Sequence, residues 1–176
     1  PRYRVFRDGS IVDEPTEVTD VWPDDGVAFL LGCAMSCDAA LERAGVSVRH
    51  IADGRSAAVY VTSEPCRAAG PFAGPLVVNL RVVAAADVAR AVEVSARYPL
   101  GHGAPVHVGA PEALGIDLSR PDYGDVPVVG DGDAPLFYGC GITPQYAMQH
   151  AGVPFAITHY PGHMFVTDWD AETNGA

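Results

Sequence analysis

LFYGCGITPQYAMQHAGVPFAITH, residues 136–159, is the stretch from which the fold is read. Leu136–Gly139 reads as a strand. Thr143 stands where a helix cap belongs, with Pro144 at the first helical position, where a missing N–H costs nothing. Gly152 is a helix stop, and Phe155–His159 is a second strand. A strand, a helix and a strand joined by tight connections form the unit from which α/β folds are built.

The same grammar occurs earlier. Residues 30–46, LLGCAMSCDAALERAGV, align without gaps on 137–153. Gly32-Cys33 falls on Gly139-Cys140, the capping Ser36 on Thr143, and Ala44-Gly45-Val46 on Ala151-Gly152-Val153. An internal repeat is expected, each copy setting a helix N-terminus and a glycine turn at the carboxyl end of a strand. Such an edge binds small anions. Between the copies, strands are expected at Val46–Ile51, Ala57–Thr62, Leu76–Val82 and Pro105–Val108. A helix capped by Asp87 is expected to end near Tyr98, because Pro99 follows. Asp8-Gly9 marks a hairpin between Arg2–Phe6 and Ser10–Val12. The expected fold is α/β: a mixed, substantially parallel sheet flanked by helices. Residues 1–176 are read as a single α/β region, the larger part of a longer two-lobed enzyme, with a smaller lobe around residues 50–130. The start at Pro1, without an initiator methionine, accords with a trimmed chain.

Composition narrows the function. The net charge is −11 and no Lys/Arg cluster exists, which argues against nucleic acid as a partner. The longest apolar runs, Val27–Leu31 and Leu76–Val83, are too short to span a bilayer, and no membrane partner is expected. Four scattered cysteines with no paired spacing fit a reduced, cytoplasmic protein. A homo-oligomer is left open. An anionic substrate must be held by placed arginines or backbone amides, since the global field repels it.

Four of the six histidines fall in two glycine/proline-rich loops. His102 and His107 belong to GHGAPVH, and His159 and His163 to HYPGH, with Asp168 close behind. Loop histidines of this kind suit general acid and base chemistry. They also leave open a divalent metal that polarises a carboxylate, though no HExxH or cysteine-pair signature is present and Pro161-Gly162 prevents a helical pair. No cofactor is expected. Arg67, in the loop CRAAGPF, and Arg97, which leads into the first histidine loop, are candidate clamps for a substrate carboxylate, as is Arg81. Cys140 sits where a thiol could be activated, but a small packing residue is the simpler reading, because Cys33 occupies the matching place.

The ordered motifs GCAMS (32–36), VRHI (48–51), CRAAGPF (66–72) with Gly74-Pro75, RYP (97–99) leading into His102–His107, PDYGD (121–125), CGITPQ (140–145), and ITH (157–159) through GHMFVTD (162–168) resemble the D-glutamate cyclase-like family of hydro-lyases, which includes the YcsI-like bacterial proteins. The resemblance covers essentially the whole chain. Two departures stand out: family members carry an N-terminal segment before the point where this chain opens, and Cys37-Asp38 keeps only the acid of an aromatic–acid pair. The resemblance implies that D-glutamate loses water and closes to 5-oxo-D-proline, or the reverse. That chemistry suits groups titrating near neutrality, and acid/base roles are expected of His102, His107, His159 and His163. Binding of a small acidic metabolite is expected of Gly32, Cys33, Ser36, Arg67, Arg97, Cys140, Gly141, Thr143, Gln145 and Asp168. A non-catalytic small-acid binding module and a metal-dependent lactam hydrolase are the alternatives; the four loop histidines favour an enzyme.

Overall fold

The computed structural model describes residues 1–168, and the chain divides into two compact units. The first unit takes Pro1–Leu30, Pro65–Pro75 and Ile142–Asp168; the second takes Leu31–Glu64 and Leu76–Gly141.

In the first unit, β1 (Tyr3–Arg7) pairs antiparallel with β2 (Ser10–Asp13) across the Asp8-Gly9 turn. Both turn residues are left-handed, at φ 48° and 74°, the conformation that matches strand twist in a two-residue hairpin. β1 also pairs antiparallel with the last strand among the described residues, Phe155–His159, with Tyr3 opposite His159. A helix, Thr143–Ala151, packs under the hairpin turn: a Cβ on Gly9 would lie 2.6 Å from the Gln149 carbonyl oxygen, so only glycine fits there. The loop 66–73 closes on itself through an Ala69–Phe72 bridge, and the Cys66 N–H bonds the Gly74 carbonyl at 2.8 Å.

The second unit holds a sheet in the order β3 (Val59–Pro65), β4 (Pro75–Ala84), β6 (Asp133–Gly139), β5 (His107–Val108). β6 runs antiparallel to both β4 and β5. Helices α1 (Asp38–Arg43) and α3 (Val88–Ala96), with the single turn α2 (Arg49–Ala52) between them in sequence, belong to this unit. Two cores form. Ala34, Cys37, Leu41, Val46, Val48, Ala91, Val83, Leu136 and Tyr138 make one, and Ala58, Tyr60, Val78, Leu80, Val82, Leu114, Ile116 and Phe137 the other. Odd-numbered residues of β4 therefore face the helices, and even-numbered ones face the 114–116 segment.

The expected parallel sheet flanked by helices is overturned. Every pairing with a defined register is antiparallel, and the helices are short. The misreading has a physical cause. Leu76–Val83 is a continuous apolar run, which a parallel central strand shows because helices cover both its faces. Here the run is buried on both faces for another reason: helices cover one side, and the 3-10 turn Pro111–Leu114 with the residues just after it covers the other. The strands flanking the quoted 136–159 stretch do not share a sheet. β6 pairs with β4, whereas Phe155–His159 pairs with β1.

The internal repeat fails with the parallel sheet. Both copies keep the glycine stop, with Gly45 and Gly152 left-handed at φ 79° and 60°. The strand half is missing from the first copy, where Val27, Phe29 and Leu30 are 79%, 81% and 74% exposed. Ser36 lies within a 3-10 turn, Ala34–Cys37, and Ile142 rather than Thr143 holds the N-cap position of the late helix. Val46–Ile51, expected as a strand, is extended only up to Val48; Arg49–Ala52 is helical.

Candidate functional site

Three glycine-bearing segments meet backbone to backbone in the second unit. A Cβ on Gly32 would stand 1.5 Å from the Leu100 carbonyl oxygen, so 32 and 100 approach as only glycine permits. A Cβ on Gly101 would meet the Cys33 carbonyl at 3.1 Å and the Ser36 Cβ at 3.3 Å. One on Gly141 would lie 3.7 Å from the Gly32 oxygen, and one on Gly139 would lie 3.8 Å from the Cβ of His102. Gly32, Cys33, Ser36, His102, Gly139 and Gly141 thus gather at one place, and Cys140, its N–H on the Val77 carbonyl at 3.0 Å, lies in the same turn.

His102 stands at the centre of this junction in a left-handed conformation, φ 77°. A non-glycine residue there carries about 1–2 kcal/mol of strain. The loop is fixed by the Tyr98 carbonyl, which accepts from the N–H groups of both Gly101 (2.8 Å) and Gly103 (2.9 Å). The imidazole is half-buried, and its Nε2 is shut off from solvent without a hydrogen-bond partner. Burial pushes its pKa below the ordinary value, against a weaker upward pull from a hydrogen bond with the Gly32 backbone. The ring is therefore held toward its neutral form, one nitrogen engaged and the other open.

Beneath the junction runs a buried polar chain that the apolar pattern of β4 conceals. The Arg81 guanidinium donates to both Asp38 carboxylate oxygens at 2.9 Å, and also to the Asn79 Oδ1. The Asn79 Nδ2 in turn donates to the Gly139 carbonyl at 3.1 Å. Arg81 is wholly buried, so it cannot clamp a substrate. Asp38 is 8% exposed and Asn79 5%. The neighbouring Cys37 thiol is pushed up to about 11, first by burial and then by the Asp38 charge. His50, on α2, has a buried Nδ1 without a partner; burial and then the Arg81 charge lower its pKa. Asn79 and Arg81 are polar residues two apart inside an apolar run. That places both on one buried face, and it is the sequence signal that would have found them.

The remaining candidates are placed elsewhere. His107 opposes Phe137 across the β5–β6 ladder, and its Nε2 lies 3.2 Å from the Ala110 carbonyl, fixing a turn. Arg97 is exposed and pairs with Glu93 one helical turn back. The second histidine loop belongs to the first unit. There the Gln145 side chain, 3% exposed, donates to the His159 carbonyl at 3.0 Å and accepts from Arg4 at 3.3 Å, so it ties the last strand to the late helix and to β1. Burial, then the Arg4 charge, lowers the pKa of His159. His163 sits edge-on to Tyr160 at 5.5 Å, and Arg2 stacks over the same Tyr160 ring at 4.1 Å. Arg67 and Thr143 line one mainly apolar groove of about 440 Å³ with Phe72, Met148 and Phe155. Asp168 is exposed. Among the described residues, no three His, Cys, Asp or Glu side chains are placed to hold a metal ion, and no helix is long and apolar enough to cross a membrane.

Helices on one face of an antiparallel sheet, with a histidine set among glycine turns over a buried ion pair, define an α+β protein with a small polar site. The chain belongs to the D-glutamate cyclase family, whose model matches residues 27–168. It is 54% identical over 169 residues to a provisionally named hydro-lyase of Rubrobacter xylanophilus, an alignment covering 96% of this chain and 65% of that one. Similarly named proteins of Bradyrhizobium diazoefficiens and Bordetella petrii are 53% and 52% identical, with 62% and 64% of their lengths covered. The chain spans less than two thirds of the length of these curated relatives.

Proposed function

We propose that this chain carries the proton-transfer site of a hydro-lyase that interconverts D-glutamate with 5-oxo-D-proline and water, and that His102 is its acid/base group. The observation that carries the reading is the partnerless, solvent-shielded Nε2 of His102, a residue set in a junction built from glycines. An orphaned buried nitrogen is costly, and a catalytic role is one reason for such a cost to be kept.

The chemistry needs only one such group. Cyclisation joins the amine nitrogen to the side-chain carboxyl carbon and breaks one carbon–oxygen bond. The ammonium group carries three protons and the lactam keeps one, so two protons leave nitrogen and both end on the departing oxygen as water. Neutral His102 takes a proton through Nε2 as the amine attacks, then returns it to the leaving oxygen. Its lowered pKa keeps the ring neutral at the start of each cycle. Gly139 brings main chain rather than a long side chain against the imidazole, and the Gly32 backbone hydrogen-bonds it, which suits a small polar acid.

The test follows D-glutamate and 5-oxo-D-proline by proton NMR from both directions, with wild type and His102→Gln. Loss of about 100-fold or more in His102→Gln is expected for a general acid/base. Undiminished turnover in the variant would refute the assignment to His102, and a wild type inert toward both compounds would refute the substrate.

A further inference from the structure

An arginine is almost never fully buried unless it is paired. At Arg81 such burial occurs on a face where the β4 neighbours Val77 and Val83, and Leu136 opposite on β6, show that apolar side chains pack well. Replacing a buried ion pair by apolar residues of similar volume is often neutral or stabilising, so stability gives no reason for a charged pair here. Geometry gives one.

The two bonds from Arg81 to Asp38 leave the guanidinium no rotational freedom, and its remaining arm is aimed at the Asn79 Oδ1. That contact decides which end of the Asn79 amide is the acceptor, and so directs the Nδ2 donor at the Gly139 carbonyl. An asparagine held by nothing could turn over and present oxygen to oxygen. The peptide joining Gly139 to Cys140 is then held at both ends, its carbonyl by Asn79 and its N–H by the Val77 carbonyl. Gly139 is the residue whose Cα faces the Cβ and Cγ of His102, and Gly141 faces the carbonyl of Gly32.

We propose that Asp38, Arg81 and Asn79 are positioning residues for His102: a sealed ion pair that, through one amide, fixes the glycine turn against which the imidazole rests. The proposal takes His102 as the working group from the reading above, and its test is independent of turnover. None of the three touches the substrate; they act through the Gly139–Cys140 peptide.

The experiment compares Asn79→Asp with wild type in the full chain. The aspartate keeps the shape and the acceptor for Arg81 but has no donor for the Gly139 carbonyl. The first readout is the ring ¹⁵N spectrum of His102, assigned by its absence in His102→Gln. The second is the separation of kcat from KM. The expected result is a folded variant whose His102 ring signals move while those of His107 and His163 stay. In it kcat falls about 10–100-fold, as a misplacement of about 1 Å produces, with KM changed far less. Should the carboxylate prevent folding, Asn79→Ala is expected to give the same ring shift. Arg49→Met supplies the control for mere loss of stability: it breaks the Arg49–Asp133 pair of the same unit, and it is expected to lower Tm and leave the His102 signals in place. Unmoved His102 signals in a folded Asn79 variant would overturn the proposal. An inert wild type would sink the D-glutamate reading while the ring signals still decided the positioning role.

Discussion

Gly32→Ala tests the glycine junction most directly. The added Cβ would sit 1.5 Å from the Leu100 oxygen and 2.6 Å from its carbonyl carbon. A carbon–oxygen contact relaxes only near about 3.3 Å, so the shortfall is about 1.8 Å. The obstacle is main chain, which has no rotamer to escape into. Relief requires moving either residues 31–33 or the loop 99–103, and the loop is tied twice to the Tyr98 carbonyl. Overpacking of this kind costs about 1–3 kcal/mol. Taking the middle of that range and about 2–4 °C per kcal/mol for a chain of this size, Tm should fall by about 4–8 °C. Function should suffer more than stability, because His102 lies two residues from the displaced carbonyl: a shift of 1 Å or more corresponds to a rate loss of about 100-fold. Gly54→Ala is the matched control. Gly54 is left-handed at φ 63°, and a methyl group added to it would meet nothing within 4 Å, so alanine there carries only the backbone strain of about 1–2 kcal/mol. Scanning fluorimetry and the NMR assay, run on both variants, decide the matter. A Gly32→Ala protein no less stable than Gly54→Ala and nearly as active as wild type would show that the junction is not built this way.

Three further outcomes are expected. Asp38→Asn strands the Arg81 charge and should cost about 3–5 kcal/mol by urea denaturation, whereas the double variant Asp38→Leu/Arg81→Met should recover most of that stability and still show displaced His102 signals; a double variant as unstable as the single one would contradict this. His102→Gly removes a left-handed non-glycine residue and an unpartnered buried nitrogen, so it should unfold no more easily than wild type while losing turnover; a drop in Tm of many degrees would mean that the imidazole is structural. Stability should also fall as pH drops from 7 to 5. His50, His102 and His159 all have folded pKa values below the 6.5 of a free imidazole, so below that pH the unfolded chain takes up protons first. The stability is full above 6.5 and is lost as pH passes down toward the folded values, and a flat urea midpoint across that range would contradict it.

Local punctuation was legible in the sequence, and long-range pairing was not. Asp8-Gly9 specified its hairpin because two left-handed residues in a row leave few other conformations, and Gly45 and Gly152 ended their helices for the same reason. The expected limits of the strand Phe155–His159 are the observed ones. Which strand lies beside it was invisible: its partner, β1, is more than a hundred residues away, and nothing local records that pairing. Val27–Leu31 has the look of a strand because apolar runs usually are buried, yet Val27 and Phe29 are about four-fifths exposed. Of the candidate site, the glycines and His102 were legible as loop chemistry. Asp38 was not, since an acid at a helix start has commoner explanations, and Asn79 and Arg81 show only as a pair, by their spacing of two inside an apolar run.

The strand β4 is where fold and site depend on each other. Val78, Leu80 and Val82 build one core, Val83 joins the other, and Val77 is fully buried at the far end of the strand. Between Val77 and Val83 the helix-facing side is given over to Asn79 and Arg81, residues that strand propensity and burial both disfavour. A sequence consistent with its own core would place apolar side chains there, as it does on every other inward position of that strand. His102 breaks a second local rule, standing left-handed between two glycines where a third would be unstrained. Two violations of unrelated kinds, one of burial and one of backbone conformation, converge on the same turn through the Gly139 carbonyl. Folding alone gives no reason for either, and the acid/base role proposed for the imidazole would account for both.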